Sequence, residues 1–243
     1  MVPMNEFEES KWINKQAALE FIESADMYIL ERQKLFAVMK SLYKHFLEDN
    51  NKTIKILELG CGDGRVTHEL LQIDANLEGT LIDGSAEMVE SAKNRLKSYP
   101  GLKFIQNTFQ ELVNSNLLSE TFDFVVSSLA IHHLQEDEKK TLFEYVYNHL
   151  SPSGFFLNMD VIRAPTESLE NWYLKLWKEW IIENEAKMEH SESFQNIPDQ
   201  YKNNPDNNPD TLENQLKLLK SAGFSNVDCY YKYGIFSVYG GQK

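Results

Sequence analysis

Residues 56–64, Ile-Leu-Glu-Leu-Gly-Cys-Gly-Asp-Gly, run a short apolar strand straight into three glycines at alternate positions. The segment from Arg65 to Ile73 reads as a helix, so the local order is strand, glycine turn, helix. That order lets bare backbone approach a ligand closely at the mouth of a parallel sheet. The spacing narrows the ligand. A dinucleotide fingerprint needs its third glycine three residues after the second, and Arg65 stands there. No Lys-Ser/Thr follows the glycines, which argues against a phosphate-cradling P-loop. A second strand, Gly79 to Asp83, ends in a carboxylate suited to two ribose hydroxyls. Gly60, Gly62 and Gly64, preceded by Glu58, favour a nucleoside carrying an amino acid over a pyrophosphate.

The rest of the chain alternates strand and helix. Strands are predicted near 54–59, 79–83, 102–107, 122–128 and 154–160, with helices near 65–73, 86–97 and 137–149. Repeated βα units imply parallel strands joined by right-handed crossovers. The end differs: Asn226 to Lys232 and Ile235 to Tyr239 are aromatic-rich strands joined by Tyr233-Gly234, read as a hairpin. The expected fold is α/β, a doubly wound, seven-stranded, mostly parallel sheet with one antiparallel strand. Four segments follow: a helical cap over 1–50, a core over 51–163, a helical lid over 164–210, and a terminal helix and hairpin over 211–243. The cap rests on a helical pattern that includes Ala18, Phe21, Ile29, Leu35 and Met39, broken at Asn50-Asn51. In the lid, Leu169, Trp172, Tyr173, Leu176, Trp177 and Trp180 form an apolar stripe at helical spacing. The loop from Lys202 to Asp210 is dense in Asn and Pro. An insertion after strand five lies on the carboxyl side of the sheet, where open α/β folds bind ligands.

Composition bounds the function. The chain has 37 acidic and 24 basic residues, a net charge of −13, which opposes unassisted binding to nucleic acid. Lys93, Arg95 and Lys97 cluster, but read more simply as a solvated helix face. No apolar run reaches the ~20 residues of a bilayer span, and Glu6, Glu8 and Glu9 do not suit a signal peptide. Two cysteines, Cys61 and Cys229, suggest neither a disulfide framework nor a zinc site. The expectation is a cytoplasmic monomer or homodimer with no metal and no membrane partner.

These landmarks resemble, in order, the motifs of the Rossmann-like (class I) S-adenosylmethionine-dependent methyltransferases. Residues 56–64 are similar to the first motif, and Leu81-Ile82-Asp83-Gly84-Ser85 with Met88 and Val89 to the second. Phe104-Ile105-Gln106-Asn107 resembles the third strand, and Phe122 to Ser128 through His132-His133-Leu134 the fourth. Leu150-Ser151-Pro152-Ser153-Gly154 resembles the turn before strand five, and Ala222-Gly223-Phe224 the start of the terminal hairpin. The resemblance implies S-adenosyl-L-methionine as cofactor. It implies Gly60, Cys61 and Gly62 beneath that cofactor, Asp83 on its ribose, Gly84 and Met88 beside it, and Asn107, Thr108 and Phe109 near the adenine. Glu58 is expected at its methionine end, directly or through backbone and water. Ser127 is expected near the transferred methyl.

Several residues keep two readings. Asp83 serves the ribose or caps the helix at 86–97, a role open to Ser85. His132 and His133 are candidates for a general base, or pack under the helix near Glu136. Tyr28 covers the cofactor or acts in catalysis, and Arg32 meets the cofactor carboxylate or pairs with a surface acid. Arg163, Trp172, Tyr173 and Trp177, with Tyr28 and His132, are the expected acceptor-site residues, although an aromatic stripe is more often core. The expected function is in-line methyl transfer to an O or N atom of a small metabolite. One alternative is a reaction like that of the carboxy-S-adenosylmethionine synthase and wobble-uridine tRNA group, which the 204–224 region resembles. The other is a non-catalytic cofactor-binding protein.

Overall fold

A computed structural model describes residues 12, 14–47, 52–187 and 193–243, with 15, 17, 18 and 21 by backbone alone. The stretch with Glu6, Glu8 and Glu9, the side chains of Ala18 and Phe21, and the Asn50-Asn51 break lie outside them. Two helices come first, α1 (Lys15–Tyr28) and α2 (Arg32–Phe46). The single cap pattern splits because Glu31 takes a left-handed φ of 53° between them. Then follow β1 (Lys55–Leu59), α3 (Arg65–Leu71), β2 (Glu78–Asp83), α4 (Ala86–Arg95), β3 (Leu102–Gln106), α5 (Phe109–Val113) and β4 (Phe122–Ser128). The chain continues through α6 (Glu136–His149), β5 (Leu150–Val161), α7 (Glu167–Glu185), α8 (Ile197–Asn203), α9 (Leu212–Ala222), β6 (Ser225–Tyr233) and β7 (Phe236–Gln242).

The strands form one seven-stranded sheet in the order β3-β2-β1-β4-β5-β7-β6. β7 runs antiparallel to both neighbours, and the pairs from β3 to β5 are parallel. The expected architecture is therefore the observed one. β5 starts earlier than predicted, because Leu150 pairs with Phe122 across a register shift in β4 that absorbs the Pro-Ser-Gly turn. Central strands are apolar on both faces, as a sheet covered on both sides requires. In β4, Phe124 and Val126 enter one core with α2, α3, α4 and α7, and Val125 enters the other with α5, α6 and α9. The chain builds outward from β1 to β3 and then returns to place β4 on the other side of β1. That reversal opens a crevice at the carboxyl ends of β1 and β4. Among the described residues no helix is long and apolar enough to cross a membrane.

Glu58 breaks the apolar run of β1 and is almost fully buried. Its carboxyl accepts hydrogen bonds from the Thr67 backbone N–H, at 3.1 Å, and the Thr67 hydroxyl, tying the first turns of α3 to the strand. Burial pushes its pKa up to about 8, against the downward pull of those two bonds. Between the ordinary carboxylate range and that value, the folded protein holds a proton that the unfolded chain releases. The associated stability is complete below the unfolded pKa and is lost as pH rises through about 8. Urea unfolding of the cofactor-free protein should therefore weaken by about 2 kcal/mol between pH 6 and 8.5, relative to Glu58→Gln. Parallel pH profiles for the two proteins would contradict this account.

Candidate functional site

A cavity of about 390 Å³ opens at the crevice between the ends of β1, β2, β3 and β4. Gly60, Gly62, Asp83, Gly84 and Met88 line one side, and Asn107, Thr108 and Phe109 another. The three glycines of the turn have separate tasks. A Cβ on Gly60 would fall 2.4 Å from the Ala130 side chain, and one on Gly64 2.7 Å from Leu96. Both are packing constraints within the protein. A Cβ on Gly62 would meet no protein atom within 4 Å, so here the left-handed φ of 53° calls for glycine and the space above it stays open to a ligand. The Gly62 N–H donates to Asp83 Oδ2 at 2.8 Å, and the Ser85 N–H to Oδ1 at 2.9 Å. Ser85 itself caps α4, its hydroxyl accepting from the Met88 N–H, so Asp83 is not needed there. Burial pushes the Asp83 carboxyl up while the two N–H donors pull it down. Asn107 brings a buried Oδ1 with no hydrogen-bond partner among the described residues. An orphaned acceptor at a cavity wall is costly unless a ligand donor meets it.

Four residues expected around the cofactor do not line this cavity. Glu58 turns to Thr67, as described above. Cys61 is buried, and its backbone N–H serves the Ile82 carbonyl. The Ser127 hydroxyl donates to the Leu59 carbonyl at 2.7 Å, joining β4 to β1, and Ser128 takes the cavity-facing place one residue on. Arg32 pairs with Asp26 at 2.8 Å and lies over the Phe36 ring, because the chain reversal at Glu31 brings those groups closer than the crevice. Leu129 also lines the cavity, with a left-handed φ of 53°. Nothing in a leucine signals that conformation from sequence.

A second cavity of about 380 Å³ adjoins the first, sharing Trp12, Leu129, His133 and Asp206 as walls. Tyr28, Trp177, Tyr201 and Phe236 supply aromatic surface, and His132 faces it too. His132 Nδ1 lies 2.7 Å from Asp160 Oδ1, and its backbone N–H donates to Asp160 Oδ2 at 3.0 Å. Burial alone would raise the Asp160 pKa, but the His132 ring and the Val161 N–H hold it below the usual carboxylate range. An ionised Asp160 makes Nδ1 the donor, leaving the Nε2 lone pair available. His133 differs. Its Nδ1 faces the Asp206 carbonyl at 3.0 Å, so it must donate there, and its Nε2 accepts from the Trp12 indole at 3.1 Å. Both nitrogens are thus engaged in a neutral ring, which disqualifies His133 as a base in this arrangement.

The Asn/Pro-rich loop is docked on this turn. The Asn208 N–H donates to the His132 carbonyl, its side-chain amide to the His133 carbonyl, and the buried Lys139 ammonium to the Asn208 carbonyl. Trp177 lines the second cavity, its indole donating to the Tyr28 carbonyl at 2.6 Å. The other lid residues expected there do not. Trp172 is 55% exposed. It lies five residues before Trp177, about 140° round the helix, so the stripe is wider than the face that is buried. Tyr173 packs against the hairpin, accepting from Lys232 at 3.0 Å. Arg163 points outward, 3.8 Å from Asp210. Asp160 and Tyr201 escaped the sequence reading. A carboxylate ending an apolar strand, the signal noticed at Glu58, also marks Asp160.

Comparison with known proteins matches this architecture. Residues 56–154 match the family model described as a methyltransferase domain. The carboxy-S-adenosyl-L-methionine synthase of Nautilia profundicola is 23% identical, over 82% of this chain and 80% of its own. An uncharacterized methyltransferase of Oceanobacillus iheyensis is 30% identical, over 57% of this chain and 61% of its own. Human N-acetylserotonin methyltransferase, solved in complex with its cofactor, shares the fold with a TM-score of 0.62 at 17% identity. That match covers 100% of this chain and 60% of the human one, so the chain spans about three fifths of that structure's length. The fold is that of the class I methyltransferases, whose cofactor is S-adenosylmethionine. The first cavity fits that molecule: open space over Gly62, a carboxylate for the ribose hydroxyls, and an orphaned acceptor for the adenine amino group.

Asp83→Ala should weaken S-adenosylmethionine binding by at least about tenfold in calorimetry, since each charge-assisted hydrogen bond is worth about 1.5–3 kcal/mol. Gly62→Val should weaken it further. Gly62 and Gly64 both have positive φ, so each valine variant should lower the melting temperature, Gly64→Val the more because its side chain also meets Leu96. A folded Asp83→Ala protein with unchanged affinity would contradict the assignment.

Proposed function

We propose that this protein transfers a methyl group from S-adenosylmethionine to an oxygen or nitrogen of a small-molecule acceptor held in the second cavity. The observation that carries this reading is the junction of the two cavities at Leu129 and His133, with a carboxylate-oriented His132 on the acceptor side. Bound S-adenosylmethionine supplies a methyl already activated on sulfur. The protein's tasks are then alignment, exclusion of water and removal of the acceptor's proton. Asp83, Asn107 and the Gly62 backbone hold the nucleoside. Leu129 separates the cavities and fixes the line between them. His132 Nε2 takes the proton, while Asp160 keeps the ring in the right tautomer and stabilises the imidazolium that forms. Trp177 and α8 form the walls of the acceptor side, and the loop through Asp206 closes it against the histidine turn.

The described residues lining the two cavities include no Lys or Arg, and Asp206 belongs to both. A second substrate bearing a carboxylate would meet Asp206 and no counter-ion in the second cavity, which counts against a carboxyl-transfer reaction. The net charge of −13 counts against tRNA as the acceptor.

Release of S-adenosylhomocysteine, followed by mass spectrometry in a metabolite mixture, tests the activity. Given an acceptor, His132→Ala should lower kcat by about 10²–10⁴-fold with cofactor affinity unchanged. Asp160→Asn should lower kcat as well, because the ring loses the carboxylate 2.7 Å from Nδ1 that fixes its tautomer. Full activity in His132→Ala would remove the general-base role.

A further inference from the structure

Tyr201 stands on α8, with its ring edge-on to Trp177 at 5.7 Å between centroids and 6.4 Å from the His132 ring. The end of α8 is pinned by its own backbone: the Tyr201 carbonyl accepts from the Asn204 N–H and from the Asn207 side-chain amide, at 2.9 Å. The ring is thus held in the wall of the second cavity. Its hydroxyl is buried and has no hydrogen-bond partner among the described residues. Burial raises the phenol's pKa, and the Asp160 and Glu170 carboxylates raise it further, so the group stays neutral and able to donate. A buried hydroxyl without a partner is unfavourable in the folded protein. A ligand group that meets it recovers that cost.

The remaining walls define the shape of that ligand. Tyr28, Trp177 and Phe236 present rings, and Ile29, Val161 and Ile197 present aliphatic surface. Flat aromatic groups pack well on such walls. With no Lys or Arg among the described lining residues and with Asp206 present, the cavity disfavours an anion.

We propose that the Tyr201 hydroxyl is the acceptor cavity's second polar anchor, and that the acceptor is an uncharged aromatic ring with two hydroxyl groups. One hydroxyl meets His132 and is methylated, while the other meets Tyr201. This rests on the methyl-transfer reading above. In the transfer, the oxygen–carbon bond forms as the sulfur–carbon bond breaks, and the electron pair returns to sulfur. The hydroxyl proton passes to His132 Nε2. Tyr201 touches the substrate away from the reacting atoms and sets which acceptor is selected.

The test is calorimetry on the full-length protein saturated with S-adenosylhomocysteine, titrated with 1,2-, 1,3- and 1,4-dihydroxybenzene, phenol and benzoate. One dihydroxybenzene should bind at least about tenfold tighter than phenol, because a site built to bond a hydroxyl rejects the analogue lacking it. Benzoate should bind more weakly than phenol. Tyr201→Phe should bring that dihydroxybenzene to within about twofold of phenol, leaving phenol and S-adenosylhomocysteine affinities unchanged. Equal losses for phenol and the diol, no loss for either, tighter binding of benzoate, or no binding of any probe would overturn the proposal. S-adenosylhomocysteine binding that persists in those cases would leave the cofactor site standing. Failure to bind S-adenosylhomocysteine at all would remove the methyl-transfer reading itself.

Discussion

The buried carboxylate of Asp160 organises the second cavity and the turns around it. An ionised group taken out of water must have its lone pairs met by donors. Here they come from the His132 ring, the His132 backbone, the Val161 N–H and the Asn158 amide. Those bonds fix the turn after β4 against the end of β5. Other parts then dock on that turn. Asn208 binds both histidine carbonyls, the Asp206 carbonyl meets the His133 ring, and Lys139 binds the Asn208 carbonyl from below. The loop that closes the second cavity is thereby placed by a carboxylate two elements away.

Two aspartates at strand ends differ in what surrounds them. Asp83 accepts one backbone N–H on each oxygen and faces the cavity beside Gly62, so it is suited to receive hydroxyl donors from a ligand. Asp160 spends its lone pairs inside the protein, on the His132 ring and backbone, the Val161 N–H and the Asn158 amide. Leu129 lies between the two regions in a left-handed conformation, held by its N–H to the Met159 carbonyl at 2.9 Å. A strained backbone at the junction of two cavities is where a fold most often tolerates such a cost for the sake of a site.

The sheet and the cofactor side were legible because they rest on local rules. Strand, glycine turn and carboxylate spacing are read directly from residues 56–64 and 79–83, and the order of landmarks implies the strand order. The acceptor side was legible in outline. An insertion after strand five had to fall on the ligand side, yet the stripe misled at Trp172, because helical period gives a face and not its width. Arg32 and Arg163 misled because long cationic side chains turn to whichever acid lies nearest, Asp26 and Asp210 here. Asp160 and Tyr201 were missed for opposite reasons. The first carried the same signal as Glu58, a charge at the end of an apolar strand. The second is one tyrosine among 11, singled out only by the short helix α8, which sets it in the wall of the second cavity.

In the proposed function, two adjoining cavities divide cofactor from acceptor, with the methyl passing between them. A crystal structure of the complex with S-adenosylhomocysteine tests it most directly. The account predicts the ribose on Asp83, the adenine amino group near Asn107 and the sulfur at the junction beside Leu129, facing the cavity that holds His132. A nucleoside bound in the second cavity, or a sulfur turned away from that junction, would contradict it.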